Sequence, residues 1–249
     1  MYSLPDAQDS ANFIQLTATG DPAEAITRLS RLYGHQTVFS TSFSMEDQLI
    51  AHWIFTRDLP IAVFTLDTGR MFRETYAVWS RTLERYGKPI RTYYPDAKPL
   101  EDFVGKSGPN AFYQSVALRK QCCHIRKVEP LGRALAGQKV WITGIRASHS
   151  SNRSDMPEFE WDPQHQVIKY HPLLRWTDDA VRKEIQRLNI PYNILHDSGF
   201  VSIGCAPCTR AVKPGEDFRA GRWWWEDADK KECGLHMYDN DVNKKRGTT

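Results

Sequence analysis

An α/β fold, in which a mostly parallel sheet carries helices on both faces and ends in an irregular C-terminal tail, is predicted by three observations. Short apolar runs recur at Thr37 to Ser40, Ile61 to Leu66, Ile90 to Tyr94 and Lys139 to Thr143. Helix-like segments lie between them, closed by glycine or proline. Polar turns rich in hydroxyls or arginine follow several of the runs. Continuous apolar strands alternating with helices imply right-handed crossovers and a buried parallel sheet.

The elements follow in order. Asp21-Pro22-Ala23-Glu24 supplies an N-cap, a proline at the first helical position and an acid in the first turn, and Gly34 closes this first helix. Thr37 to Ser40 is the first strand, Met45 to Arg57 a helix, and Ile61 to Leu66 the second strand. Arg70 to Tyr86 forms a helix stopped by Gly87 and Pro89, and Ile90 to Tyr94 the third strand. Ser115 to Leu135 is largely helical through the adjacent Cys122 and Cys123, and Lys139 to Thr143 is the fourth strand. Ile168 to Leu173 offers a further strand, and Thr177-Asp178-Asp179 caps a helix that runs to about Leu188. Beyond Ser198, Gly199, Gly204, Pro207, Pro214, Gly215 and Gly221 break any long period. Residues 1–212 are therefore expected to form one domain, with 213–249 an irregular or mobile extension and not an independent unit.

Composition narrows the function. The 249 residues are 41% hydrophobic and 25% charged, ordinary values for a globular chain. A net charge of +3 is too mild to imply nucleic acid, and a local anion site is the better inference. No apolar run approaches the roughly 18 residues of a membrane span, and the start lacks the charged and apolar regions of a secretion signal. The chain is thus expected to be cytoplasmic, without membrane or nucleic-acid partners. Clustered cysteines in that compartment more often bind metal or do chemistry than form disulfides.

Five cysteines fall in an informative order: Cys122-Cys123, Cys205-Ala206-Pro207-Cys208, and a lone Cys233 in Glu232-Cys233-Gly234-Leu235-His236. Four look like ligands, and the fifth, flanked by Lys230, Lys231 and His236, looks like a reactive thiol. A structural zinc site is the common use of a Cys-x-x-Cys half. Two neighbouring thiolates reach one small ion only with a cramped backbone, whereas a cubane cluster offers each its own iron corner. Chemistry alone leaves both metals open.

The strand ends carry anion donors. Ser40-Thr41-Ser42-Phe43-Ser44 feeds a helix N-terminus, a cradle for phosphate that competes with an ordinary serine-rich N-cap turn. Leu66-Asp67-Thr68-Gly69-Arg70 would lie beside it. The loop after Gly144 holds Arg146 and Arg153, and single surface arginines are usually just solvated. Arg219-Ala220-Gly221-Arg222-Trp223-Trp224-Trp225-Glu226 carries three tryptophans that fit no single amphipathic face. They are expected to anchor the tail to the core, with the arginines reaching the anion.

Taken together, these elements closely resemble the assimilatory adenylyl-sulfate reductases over about residues 37 to 236. The resemblance implies an adenine nucleotide α-hydrolase-like (pyrophosphatase-loop) fold and a [4Fe–4S] cluster on Cys122, Cys123, Cys205 and Cys208. It implies thioredoxin-dependent reduction of adenosine 5′-phosphosulfate to sulfite and AMP, in sulfate assimilation and cysteine biosynthesis. It also implies that Cys233 is the nucleophile that becomes S-sulfocysteine, with thioredoxin or glutaredoxin as the reductant partner. Lys127, Arg153, Arg219, Arg222 and His236 would surround the phosphosulfate. Ser40 and Ser42 would hold its phosphate side, and backbone at Leu66 and Gly144 would contact adenine. A homo-oligomer is compatible with the resemblance. Relatives that take the 3′-phosphorylated nucleotide generally lack the four ligands, which makes that substrate the first alternative. A tRNA-thiolating pyrophosphatase-loop enzyme is the second, and the absence of a glycine-rich loop at Phe43-Ser44 argues against its ATP chemistry.

Overall fold

The computed structural model describes Leu4 and residues 6–149 and 156–226. Six strands form one sheet: β1 (Thr37–Ser40), β2 (Ala62–Leu66), β3 (Arg91–Tyr93), β4 (Val140–Ile142), β5 (Phe159–Asp162) and β6 (Val167–Tyr170), in the order β3-β2-β1-β4-β6-β5. Every pairing is parallel except that of β5 with β6. The order reverses between β1 and β4, which opens a crevice at the carboxyl ends of those strands.

Eight α-helices are described: α1 (Ala7–Thr17), α2 (Pro22–Tyr33), α3 (Met45–Thr56), α4 (Arg73–Tyr86), α5 (Ala97–Ser107), α6 (Val116–Cys123), α7 (Glu129–Leu135) and α8 (Asp178–Arg187). Asp21 caps α2 by accepting from the Ala23 N–H at 2.9 Å, and Gly34 ends it at positive φ. α3 is buried on nearly every side, so it forms the centre of the main core and not a surface layer. A second apolar cluster, around Phe64, Leu131 and Trp141, covers the other face of the sheet.

Three elements were not foreseen. α1 buries only Phe13 and Leu16, and α5 only Phe103, so neither carries a broad apolar stripe. β5 has a burial pattern alternating about Glu160 and Asp162, which point inward to Lys169 on β6. The long helix expected through the cysteine pair is also interrupted. Residues His124–Val128 form a π-helical turn between α6 and α7. Pro130 lies in the first turn of α7, and its missing N–H breaks the regular ladder one turn back, which widens the helix there.

Residues 214–226 contain no helix or strand, and they are docked. Thr209 and Arg222 form an antiparallel bridge, the Arg210 N–H donates to Gly221 O at 2.9 Å, and Trp223 is buried. Among the described residues, no helix is long and apolar enough to cross a membrane.

Candidate active site

A cavity of about 280 Å³ lies at the switch point, lined by the turns that follow β1, β2 and β4. It gathers seven of the residues expected to bind substrate: Ser40, Ser42, Leu66, Lys127, Gly144, Arg219 and Arg222. Cys205 opens onto the same cavity. Cys233, Arg153 and His236 lie outside the described residues.

Each wall has a local cause. Ser40 ends β1 and accepts a hydrogen bond from Trp141 Nε1 at 2.8 Å. Ser44 caps α3, so the turn feeds a helix N-terminus. Phe43 takes φ 62°, held by its N–H donating to Thr41 Oγ1 at 3.0 Å and by a stack on Trp79. Both donors of Ser42 go to Asp47, the N–H at 2.6 Å and the hydroxyl at 2.7 Å. On the far side, a Cβ on Gly204 would fall 2.7 Å from Arg222 Cζ, so the glycine makes room for that guanidinium. Arg222 then lies over the Trp223 ring at 4.8 Å and donates to Ser202 Oγ at 3.3 Å.

Two arginines at the strand ends do not join this wall. Arg146 is buried and donates to Glu46 at 2.7 Å, to Trp176 O at 3.1 Å and to Asp178. A buried guanidinium needs compensating charge, and Glu46 provides it, so the expectation that Arg146 is an anion donor is not met. Arg70 turns the other way, donating to Asn110 Oδ1 at 2.9 Å and lying over Phe112.

The four expected ligands meet in one place. Cys122, Cys123 and Cys208 are buried in an apolar cluster with Phe112 and Trp223, and Cys205 packs against it. The Cys-x-x-Cys turn is a short 3₁₀ segment, and the Ala206 N–H donates to Arg70 O at 2.8 Å, which ties it to the end of β2. Burial, then the neighbouring Cys205, pushes the Cys208 thiol up to about 12. Burial likewise raises Cys122. For Cys205 burial is again the largest influence and acts upward, but Lys127, the Thr68 hydroxyl at 3.3 Å, Arg222 and Arg126 outweigh it and hold the thiol below the usual range. Such a set would exist as four thiolates only around a strongly positive core, so its chemistry fits a bound metal centre. No three His, Cys, Asp or Glu among the described residues converge on a single metal ion.

Sequence reasoning gave no role to Asp47, Trp141, Thr143 or His196, which all line the cavity. His196 donates its Nδ1–H to Phe200 O at 2.8 Å, and burial lowers its pKa, which favours the neutral ring. The one available signal was the spacing of Ser44 and Asp47, the first and last positions of a capping box.

A doubly wound α/β sheet with its ligand crevice at the switch point defines the structural class. The chain belongs to the phosphoadenosine phosphosulfate reductase domain family, which matches residues 36–211. It is 49% identical over 199 residues to the adenosine 5′-phosphosulfate reductase of Burkholderia cepacia, covering 80% of each chain. The crystal structure of phosphoadenylyl-sulfate reductase from Candida auris superposes with a TM-score of 0.69 at 25% identity, over 84% of this chain and 100% of that one. The FMN adenylyltransferase of Candida glabrata shares the fold at a TM-score of 0.53 and 14% identity, over 98% of this chain and 85% of that one. The fold is that of the adenine nucleotide α-hydrolase-like proteins.

Proposed function

We propose that this protein reduces adenosine 5′-phosphosulfate to sulfite and AMP, using a thioredoxin- or glutaredoxin-type dithiol as electron donor. The observation that carries the reading is the meeting of four cysteines beside a strand-end cavity lined by Lys127, Arg219 and Arg222. The relatives named adenosine 5′-phosphosulfate reductase support it.

The chemistry follows from charge. The substrate is polyanionic, and a thiolate approaching its sulfur meets repulsion that cations must offset. Lys127, Arg219 and Arg222 supply that field, joined in this reading by Arg153 and His236. Cys233, on the tail formed by residues 213–249, attacks the sulfate sulfur. An S–S bond forms, the S–O bond to phosphate breaks, and AMP leaves with the electron pair. A partner thiolate then attacks Cys233 Sγ and expels sulfite, with the pair from the broken S–S bond. The partner's second thiol closes its own disulfide, releases Cys233 as a thiolate, and completes the two-electron transfer.

Cys122, Cys123, Cys205 and Cys208 would hold a [4Fe–4S] cluster, since the adjacent Cys122 and Cys123 reach one small ion only with a cramped backbone, whereas a cubane offers each its own iron corner. When bound, the cluster supplies fixed charge and rigidity beside the phosphosulfate. Ser40, Ser42, Leu66 and Gly144 would bind the nucleotide.

The test is direct: the full chain, incubated with adenosine 5′-phosphosulfate and reduced thioredoxin, should release sulfite and AMP in equal amounts. AMP without sulfite would mean hydrolysis and would sink the reading.

A further inference from the structure

Asp47 is buried in the first turn of α3, and one of its oxygens, Oδ2, accepts both the N–H and the hydroxyl of Ser42. Its other oxygen abuts Gly144, where an added Cβ would collide with it. The carboxyl is therefore wedged between the turns that end β1 and β4, the two strands flanking the switch point. Next to Ser42, Phe43 sits at positive φ, a conformation that a bulky L-residue keeps only where its surroundings enforce it. The contacts that enforce it are the stack on Trp79, the Thr41 hydroxyl and the grip of Asp47 on Ser42.

We infer that Asp47 is a positioning residue of the nucleotide pocket: it fixes the Ser42 turn against Gly144. Because it holds donors that a phosphate would take, it links nucleotide binding to uptake of one proton. The inference rests on the reading of this cavity as a nucleotide site.

The surrounding charges give the sign. On α3 itself Glu46 is adjacent, and Arg146 from the loop after β4 neutralises it. Across the cavity stand Lys127, Arg219 and Arg222, and His196 from the turn Ile194–Ser198. Burial raises the Asp47 pKa to about 6, against the two Ser42 bonds and with a small further push from Glu46. Above that pH the carboxylate repels an incoming anion. A bound anion raises the pKa further, so the complex binds more protons than the free protein, and affinity falls as pH rises through the free value.

Two substitutions separate the roles. Asp47→Asn keeps an oxygen for both Ser42 donors and loses the charge, whereas Asp47→Ala loses both. The experiment is calorimetric titration of the full chain with AMP from pH 5 to pH 8, with thermal melting of the same samples. Asp47→Ala should bind AMP tenfold or more weakly than Asp47→Asn at every pH, since both lack the charge and only alanine loses the oxygen that holds Ser42. The ratio of Asp47→Asn to wild-type affinity, in which the titration of AMP cancels, should rise about tenfold from pH 5 to pH 8. Affinity of Asp47→Ala equal to that of Asp47→Asn would overturn the positioning role, and a flat asparagine-to-wild-type ratio would overturn the proton linkage. Should Asp47→Ala fail to fold, Asp47→Ser, too short to hold both Ser42 donors, takes its place, and the asparagine ratio still decides the proton linkage. Absence of AMP binding by wild type would instead overturn the nucleotide reading, and this inference with it.

Discussion

Arg119 and Glu226 form a two-pronged ion pair with both side chains buried: Nε donates to Oε1 at 3.0 Å and Nη2 to Oε2 at 2.7 Å. The guanidinium also lies 4.6 Å from the centre of the Trp223 ring. Arg119 stands one helical turn before Cys122 and Cys123 on α6, so the pair ties the end of the described chain to the helix that carries two of the four cysteines. Cys233 follows seven residues later, within roughly 24 Å of Glu226 for an extended chain.

Breaking this pair should be costly, because it strands a charge in an apolar cluster. Arg119→Ala or Glu226→Ala is expected to lower stability by about 3 to 5 kcal/mol, read by urea unfolding of the full chain. Replacing both residues by apolar ones should cost less than either single change. Single losses under about 1 kcal/mol would show that the pair is effectively solvated.

The sheet was legible because its central strands are short apolar runs ended by polar turns, and Thr37–Ser40 was read to the residue. β5 was not, since Glu160 and Asp162 give it a polar sequence, and the buried Lys169 of β6, with His165 and His171, explains why they face inward. The tryptophan run was legible as an anchor. Trp223 is buried and Trp225 packs edge-on to Tyr113 at 4.4 Å. Arg146 misled for a different reason. Nothing local distinguishes an arginine that faces an anion from one that neutralises Glu46, a residue one hundred positions away. That both Ser42 donors go to Asp47 was not legible either, because nothing in the sequence sets this acid of the first helical turn apart.

Gly204→Ala isolates the contribution of Arg222. The new methyl group would meet the end of a flexible side chain and not backbone, so the fold should survive with little change in melting temperature. The guanidinium must shift from its present place. AMP affinity should fall about tenfold, which is roughly 1.4 kcal/mol. Unchanged affinity would remove Arg222 from the binding wall.

The proposed division of the cysteines between ligation and attack calls for two opposite phenotypes. Cys233→Ser should abolish turnover yet keep iron content and AMP binding near wild type. Wild type incubated with substrate and no dithiol should gain one sulfite-sized mass on the peptide containing Cys233. An adduct on any other cysteine would contradict the assignment.

In the proposed cluster, loss of one thiolate would open an iron to solvent and weaken the remaining three. Each of Cys122→Ser, Cys123→Ser, Cys205→Ser and Cys208→Ser should therefore lose iron, visible absorbance and activity together. Full iron retention in any one of the four would mean that its sulfur is not a ligand.

Substrate choice gives the sharpest test. The cavity wall contains Lys127, Arg219 and Arg222, while Arg146 and Arg70 are committed to Glu46, Asp178, Asn110 and Phe112. Neither of those two is available to receive a second phosphate. The buried Asp47 lines the same cavity and, once ionised, adds repulsion against one. A 3′-phosphate thus gains no partner from Arg146 or Arg70 and meets like charge. One missing charge contact amounts to about one or two tenfold steps in specificity, at roughly 1.4 kcal/mol each. Adenosine 5′-phosphosulfate should accordingly be reduced with a kcat/KM on the order of 100-fold above that of its 3′-phosphorylated form. Equal values, or a preference for the 3′-phosphorylated nucleotide, would show that a cation outside these residues reads the ribose 3′ position.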